Sequence, residues 1–162
     1  MREIVQQADA YKNLNARLQL ATKTSQDFAA AQIAVFNIAQ RTGTGLEQTA
    51  DLFGSLSRST QALGVSQERV LGVTKTINQA LVVSGTSAQG SSAALVQLGQ
   101  AFASGTLRGE ELNSILEQAP RVAQALADGL GVTVGQLRKL GEEGKLTGEK
   151  VFQALEKSGG AI

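Results

Sequence analysis

The chain has 162 residues, 15 Lys+Arg against 14 Asp+Glu, and a net charge of +1. That balance offers no strong electrostatic pull on nucleic acid or on an anionic membrane. Cysteine and histidine are both absent, which excludes disulfides and thiolate chemistry and removes the commonest general base and metal ligand, so a zinc site would have to be built from carboxylates alone.

The length suits one domain with a real core, or two small helical ones. Aromatic residues make up 4% and there is one proline, but there are 18 glycines. The core must therefore come from Leu, Val, Ile and many Ala, which lets helices approach closely but buries little surface per residue and leaves stability open to support from partners. Met1 to Asn15 carries Arg2, Glu3, Asp9 and Lys12 with no apolar run of the secretory kind. The most apolar stretch, Phe28 to Ala39, is broken by Gln32 and Asn37; it reads as a buried helix, since a membrane span needs about 20 apolar residues. Basic residues are not bunched: the densest group, Arg138, Lys139 and Lys145, encloses Glu142 and Glu143.

In chain order the pattern is all-α: a compact bundle of about seven to nine short helices joined by glycine-containing turns, with a longer helix at the N-terminus. Ile4, Tyr11, Leu14, Leu18 and Ala21 follow a heptad spacing with Gln7 at the missing position, readable as a coiled-coil seam or as a plain amphipathic helix. A second helix is expected from Ser25 to Arg41, with Phe28, Ala31, Val35 and Ile38 on one face and Gly43 and Gly45 ending it. Thr44 and Glu47 are spaced as a capping box for a third helix reaching Leu63, with Leu46, Ala50, Phe53, Leu56 and Leu63 inward. Gly64 stops it. Ser66 caps a fourth helix, Gln67 to Ser84, carrying Val70, Val73, Ile77 and Leu81, and Gly85 stops that one.

A fifth helix is expected from Ser91 to Ser104, with Leu95, Leu98 and Phe102 on one face and Gly105 as its stop. The sixth starts near Gly109 with Glu110 and Glu111 in its first turn, where negative charge suits the helix dipole. Pro120 fits the first turn of a seventh, where its missing N–H does no harm, and Gly131 ends it. Thr133 and Gln136 form a capping box for an eighth helix to Leu140, and Thr147 caps a ninth to about Lys157. The phrase Gly64-Val65-Ser66 returns as Gly131-Val132-Thr133, which is shared turn chemistry without a fixed repeat period.

From Thr76 to Leu107 there is no charged residue. Surface helices ordinarily carry charge outward, so this stretch is expected to be covered on more than one side: either as the central hairpin of the domain, or as a self-association surface including Leu81, Ala94, Leu98 and Phe102.

Little in the sequence suggests catalysis. No Ser-x-x-Lys motif occurs, and Thr147-x-x-Lys150 is better explained as a helix cap. Arg41-Thr42-Gly43-Thr44-Gly45 contains a bare Gly-x-Gly with no strand before it and no Lys-Ser/Thr after it. Glu110, Glu111 and Glu117 are the one carboxylate group that could pair as in a glycosidase; the alternative for them is dipole capping plus a salt bridge from Glu111 or Glu117 to Arg108 or Arg121. Thr133 to Leu155 could suggest a helix-turn-helix, but a reading helix with Lys150 and Lys157 offset by Glu149 and Glu156 suits phosphates poorly.

One long run, Gln97 to Pro120, combines Gly105, Arg108, Gly109, Glu110, Glu111, Leu112 and Pro120. With Leu52-Phe53, Leu63-Gly64, Ile77-x-x-Ala80, Ser84-Gly85, Ala123 to Ala127, Leu130-Gly131-Val132-Thr133, Gly135-x-Leu137-Arg138-x-Leu140, Gly144-Lys145-Leu146-Thr147 and Ala154-Leu155, it resembles the tape-measure domain of bacteriophage or prophage tail tape measure proteins. The ordered Gly-Glu-Glu-Leu-Asn-Ser-Ile…Ala-Pro segment followed by Leu-Gly-Val-Thr is the most specific part. The resemblance implies a division into residues 1–44 (N-terminal helices, readable as a coiled-coil lead-in), 45–158 (the tape-measure domain) and 159–162 (a linker or the end of the piece). It further implies a structural module of a longer protein that sits in the tail-tube lumen, sets tail length during assembly and is released on DNA ejection, with tail-tube subunits and tail assembly chaperones as partners. No cofactor and no catalytic residue is implied. The alternatives are a peptidoglycan-degrading domain using Glu110 and Glu117, or a generic helical adaptor.

Overall fold

The computed structural model describes residues 2–159, with side chains described for residue 9 and from residue 12 onward. Ile4, Gln7 and Tyr11 of the heptad seam, and the expected chain end beyond Gly159, lie outside the described side chains or residues. The described chain forms α1 (Arg2–Ala21), α2 (Ser25–Thr42), α3 (Leu46–Thr60) followed by a 3₁₀ turn (Gln61–Leu63), α4 (Gln67–Val83), α5 (Ala88–Ser104), α6 (Gly109–Gln118), α7 (Pro120–Leu130), α8 (Val134–Glu142) and α9 (Gly148–Ser158). Among the described residues there is no strand, only one isolated bridge between Thr106 and Thr147.

Capping chemistry sets most of the helix starts. The Asp27, Arg69, Gly90, Gln136 and Lys150 N–H groups donate to the hydroxyls of Thr24, Ser66, Ser87, Thr133 and Thr147, each satisfying a donor that the helix itself cannot pair. Gly131 ends α7 in the left-handed region, with φ of 71°. Its N–H donates to Asp128 O at 3.2 Å and the Val132 N–H to Ala127 O at 2.9 Å, the double closure of a Schellman turn.

Three local expectations are corrected. Thr44 and Glu47 do not cap α3. Gly45 is its N-cap, without a side-chain bond, because the Thr44 hydroxyl is engaged elsewhere. α5 begins three residues earlier than expected, where Ser87 caps it. Leu63 is 45% exposed, since the switch to a three-residue period at Gln61 turns it off the inward stripe of α3.

A single apolar cluster holds the bundle, running from Leu14 and Leu18 of α1, through Ala31 and Val35 of α2, to Phe152 and Leu155 of α9. The core therefore crosses the 44/45 boundary expected from sequence. α3 lies along α5, α7 along α9, and α1 against α3. Arg17 reinforces the α1–α3 contact by reaching Glu47 at 2.9 Å and Asp51 at 3.0 Å.

Inside this apolar setting sits one polar knot. The fully buried Asn78 side-chain amide donates to Thr44 Oγ1 at 2.8 Å and Thr49 Oγ1 at 3.1 Å. Thr49 donates onward to Gly45 O and Thr42 to Ile38 O. The Thr44 hydroxyl lies 2.9 Å from that of Thr42 and 3.2 Å from that of Thr49. The knot ties α4 to the α2–α3 turn, and Asn78 Oδ1 is left without a partner.

Two glycines inside helices have opposite surroundings. At Gly129 of α7 an added Cβ would lie 2.6 Å from the carbonyl carbon of Ala154 in α9 and closer still to its oxygen. At Gly72 of α4 an added Cβ would meet nothing within 4 Å. Neither glycine has a positive φ. Gly129→Ala should therefore lower stability by about 1–3 kcal/mol through overpacking, while Gly72→Ala should raise it by about 0.5–1 kcal/mol through helix propensity. Chemical denaturation of the two variants beside the parent checks both signs.

Candidate functional site

The Gln97–Pro120 run builds a junction of loops. Gly105 closes α5 with φ of 87°, its N–H donating to Ala101 O at 3.0 Å. The chain then pairs with the α8–α9 connection: the Leu107 N–H donates to Leu146 O at 2.8 Å and the Gly148 N–H to Gly105 O at 2.9 Å. Leu107 and Leu146 are buried behind this pairing. Gly-Thr-Leu and Lys-Leu-Thr-Gly thus meet across three intervening helices.

Arg108 precedes α6. Its backbone N–H donates to Glu111 Oε2 at 3.0 Å, the carboxylate half of a capping box; an arginine side chain has no acceptor to supply the other half. Leu112 and Ile115 are fully buried. α6 starts beside α8, and a Cβ added at Gly109 would stand 3.7 Å from Glu142 Cγ, an ordinary contact that does not require glycine. The tighter position is Gly141, where a Cβ would come within 2.9 Å of Leu112 Cδ2.

A second junction lies at the end of α6. Ala119 separates α6 from α7, and Pro120 occupies the first position of α7. The α4–α5 turn is sewn onto it. Ser84 Oγ accepts from the Arg121 N–H at 3.0 Å while donating to Ala80 O at 2.7 Å, and Thr86 Oγ1 donates to Gln118 O at 2.8 Å. One turn so satisfies groups at the end of α6 and the start of α7. Sequence reasoning missed these roles of Ser84 and Thr86, because the partners lie more than thirty residues away along the chain.

The candidate self-association surface is corrected. Leu81, Ala94, Leu98 and Phe102 are at most 2% exposed, packed inside the chain's own core, so they are not available to a second molecule. The inner face of residues 76–107 packs against α3, α6 and α7, while Val82, Val83 and Val96 of the same charge-free stretch are exposed.

The expected salt bridges from Glu111 or Glu117 to Arg108 or Arg121 are also absent among the described residues; Arg121 instead lies 3.9 Å from Asp128. Glu110 and Glu117 are exposed, and neither lines a cavity described for this chain. Among the described residues, no group of three or more carboxylates could hold a metal ion, and no helix is long and apolar enough to cross a membrane.

The most distinctive residues of the described helices cap helix ends and join loops. The model of the tape measure protein family matches residues 2–162, so the chain belongs to the tape measure protein family. The match takes in the N-terminal helices, where no family signature was legible. No curated protein and no solved structure matches the chain. The family is structural rather than catalytic and sets the chain in the context of a phage tail.

An ion pair with two parallel hydrogen bonds joins α4 to α9: Arg69 Nε and Nη2 each donate to a Glu156 oxygen at 2.7 Å. That hydrogen bonding holds the Glu156 carboxyl below its ordinary value of 4.5, against the opposing effect of burial. A folded-state value below the unfolded one means that the contribution is fully present above about pH 4.5 and fades as pH falls through the folded value. Asp51 opposes this trend, because burial raises its carboxyl despite the neighbouring Arg17. Glu156→Gln should slightly lower the urea midpoint at neutral pH and flatten its decline below that window, with both effects shrinking in high salt. Ser84→Ala, which unpairs the Arg121 N–H, should cost about 1 kcal/mol at any pH. Urea titrations at neutral and acid pH measure both.

Proposed function

We propose that this chain is a folded helical module of a tail tape measure protein, held in the lumen of the tail tube, contributing to the control of tail length during assembly and leaving the tube when DNA is ejected. Membership of the family across residues 2–162 carries the reading. In this setting the module passes through the host cytoplasm during assembly and meets tail-tube subunits and tail assembly chaperones.

The physical basis of a ruler is that an α-helix advances about 1.5 Å per residue, so chain length converts into distance. Residues 2–159 do not serve that purpose efficiently. As one continuous helix a chain of this size would span about 240 Å; folded into a bundle of helices, it is about 40 Å across. The module is thus a body carried on the ruler. Its small side chains and lack of disulfides favour passage through a narrow tube.

Two measurements on particles of the phage or prophage that encodes it test this. Mass spectrometry of purified tails should find the chain before DNA ejection and lose it from emptied tails. In-frame removal of residues 2–159 should shorten tails by about 40 Å or less, far below the 240 Å of a continuous helix. A chain absent from tails, or retained on emptied ones, sinks the proposal.

A further inference from the structure

Part of the outer face of α2 is apolar where a surface helix ordinarily carries polar residues. Residues 28–40 contain no charge, yet Ala29, Ala30, Ile33 and Phe36 are all exposed, the last two by 64% and 51%. Beside this face, and lined by none of those four residues, lies a groove of about 270 Å³ between α2 and α4, with Asn37 in its lining. Ala34, Ile38, Leu71 and Gly72 form its floor, and Arg41 and Lys75 stand at its rim. Neither cation forms an ion pair among the described residues, and no acidic residue lines the groove; Glu68, one turn earlier on α4, lies outside the lining.

Gly72 adds a separate observation. It sits at an exposed position within the 17-residue α4, and no described residue occupies the space that a Cβ would fill. No internal contact requires a glycine there. A glycine within a helix, on the floor of an apolar groove, leaves room for the close approach of another backbone.

We propose that the α2–α4 groove is a docking site for an acidic amphipathic helix of a protein partner. The incoming helix would lay a small-residue apolar ridge against Gly72, Ile38 and Leu71, with carboxylates meeting Arg41 and Lys75. The charge pattern disfavours a second copy seated through the same face, because an isologous contact would set cations against cations in a groove without acids. The inference goes beyond the tail reading and does not depend on it.

The test uses the 162-residue chain, isotope-labelled, and two synthetic helical peptides of about 18 residues with Ala and Leu at i, i+3, i+4 and i+7. One peptide carries Glu beside that face and the other carries Lys at the same positions. The Glu peptide should shift amide signals of α2 and α4, and the Lys peptide should bind more weakly by about tenfold or more. Gly72→Leu fills the groove floor and should weaken binding of the Glu peptide by about tenfold or more. Gly72→Ala should melt higher than the parent and yet bind more weakly, which separates the groove from any loss of fold. Equal binding of the two peptides, shifts confined to other helices, no shift at all, or unchanged affinity in both Gly72 variants overturns the proposal.

Discussion

The bundle depends on how closely α7 and α9 approach. The Ala154 carbonyl of α9 occupies the space that a side chain at Gly129 would need. Ala123, Ala125 and Ala127 of α7 are buried with it. With few aromatic rings to fill gaps, cohesion must come from dense contact between small groups, and dispersion falls away steeply when such surfaces separate. The placement of α9 then fixes much else. It inserts Phe152 and Leu155 into the core, brings the Ser158 hydroxyl within 2.6 Å of Ala125 O, sets Glu156 beside Arg69, and presents the Gly148 N–H to Gly105 O.

Helix boundaries were largely legible because they rest on local chemistry. Ser66, Thr133 and Thr147 cap helices as their spacing suggests, and Pro120 and Gly131 mark the limits of α7. What escaped sequence reasoning depends on distant neighbours. Thr44 has the spacing of a cap, but Asn78, thirty-four residues on, draws its hydroxyl away. Gly129 is unremarkable in the sequence and is set apart only by Ala154. The absence of charge from 76 to 107 fitted both an interior hairpin and an outward patch; Leu81, Ala94, Leu98 and Phe102 lie inside, whereas Val82, Val83 and Val96 face outward. The apolar outer face of α2 went unnoticed because Phe28 to Ala39 reads as buried on every side.

The family resemblance was legible at residues that turn out to hold loops together. Ser84-Gly85 meets Pro120-Arg121, and Gly105-Thr106-Leu107 meets Leu146-Thr147-Gly148. A pattern distinctive in order need not be chemically reactive. Here glycines, caps and one proline stand where they do because helix ends need particular residues. That accords with the structural character of the tape measure protein family.

The buried Asn78 knot bears on the uniqueness of the fold. A core rich in alanine and leucine is forgiving of sliding: a helix displaced by one turn often exchanges one small apolar contact for another of similar worth. An amide is less forgiving. Asn78 finds the Thr44 and Thr49 hydroxyls in one alignment of α4 against the α2–α3 turn, and any shift would strand its N–H groups in an apolar interior. Its carbonyl oxygen, already without a partner, is the cost of that choice. Asn78 thereby acts as a registration mark, trading some stability for a single arrangement among helices whose apolar faces alone would tolerate several.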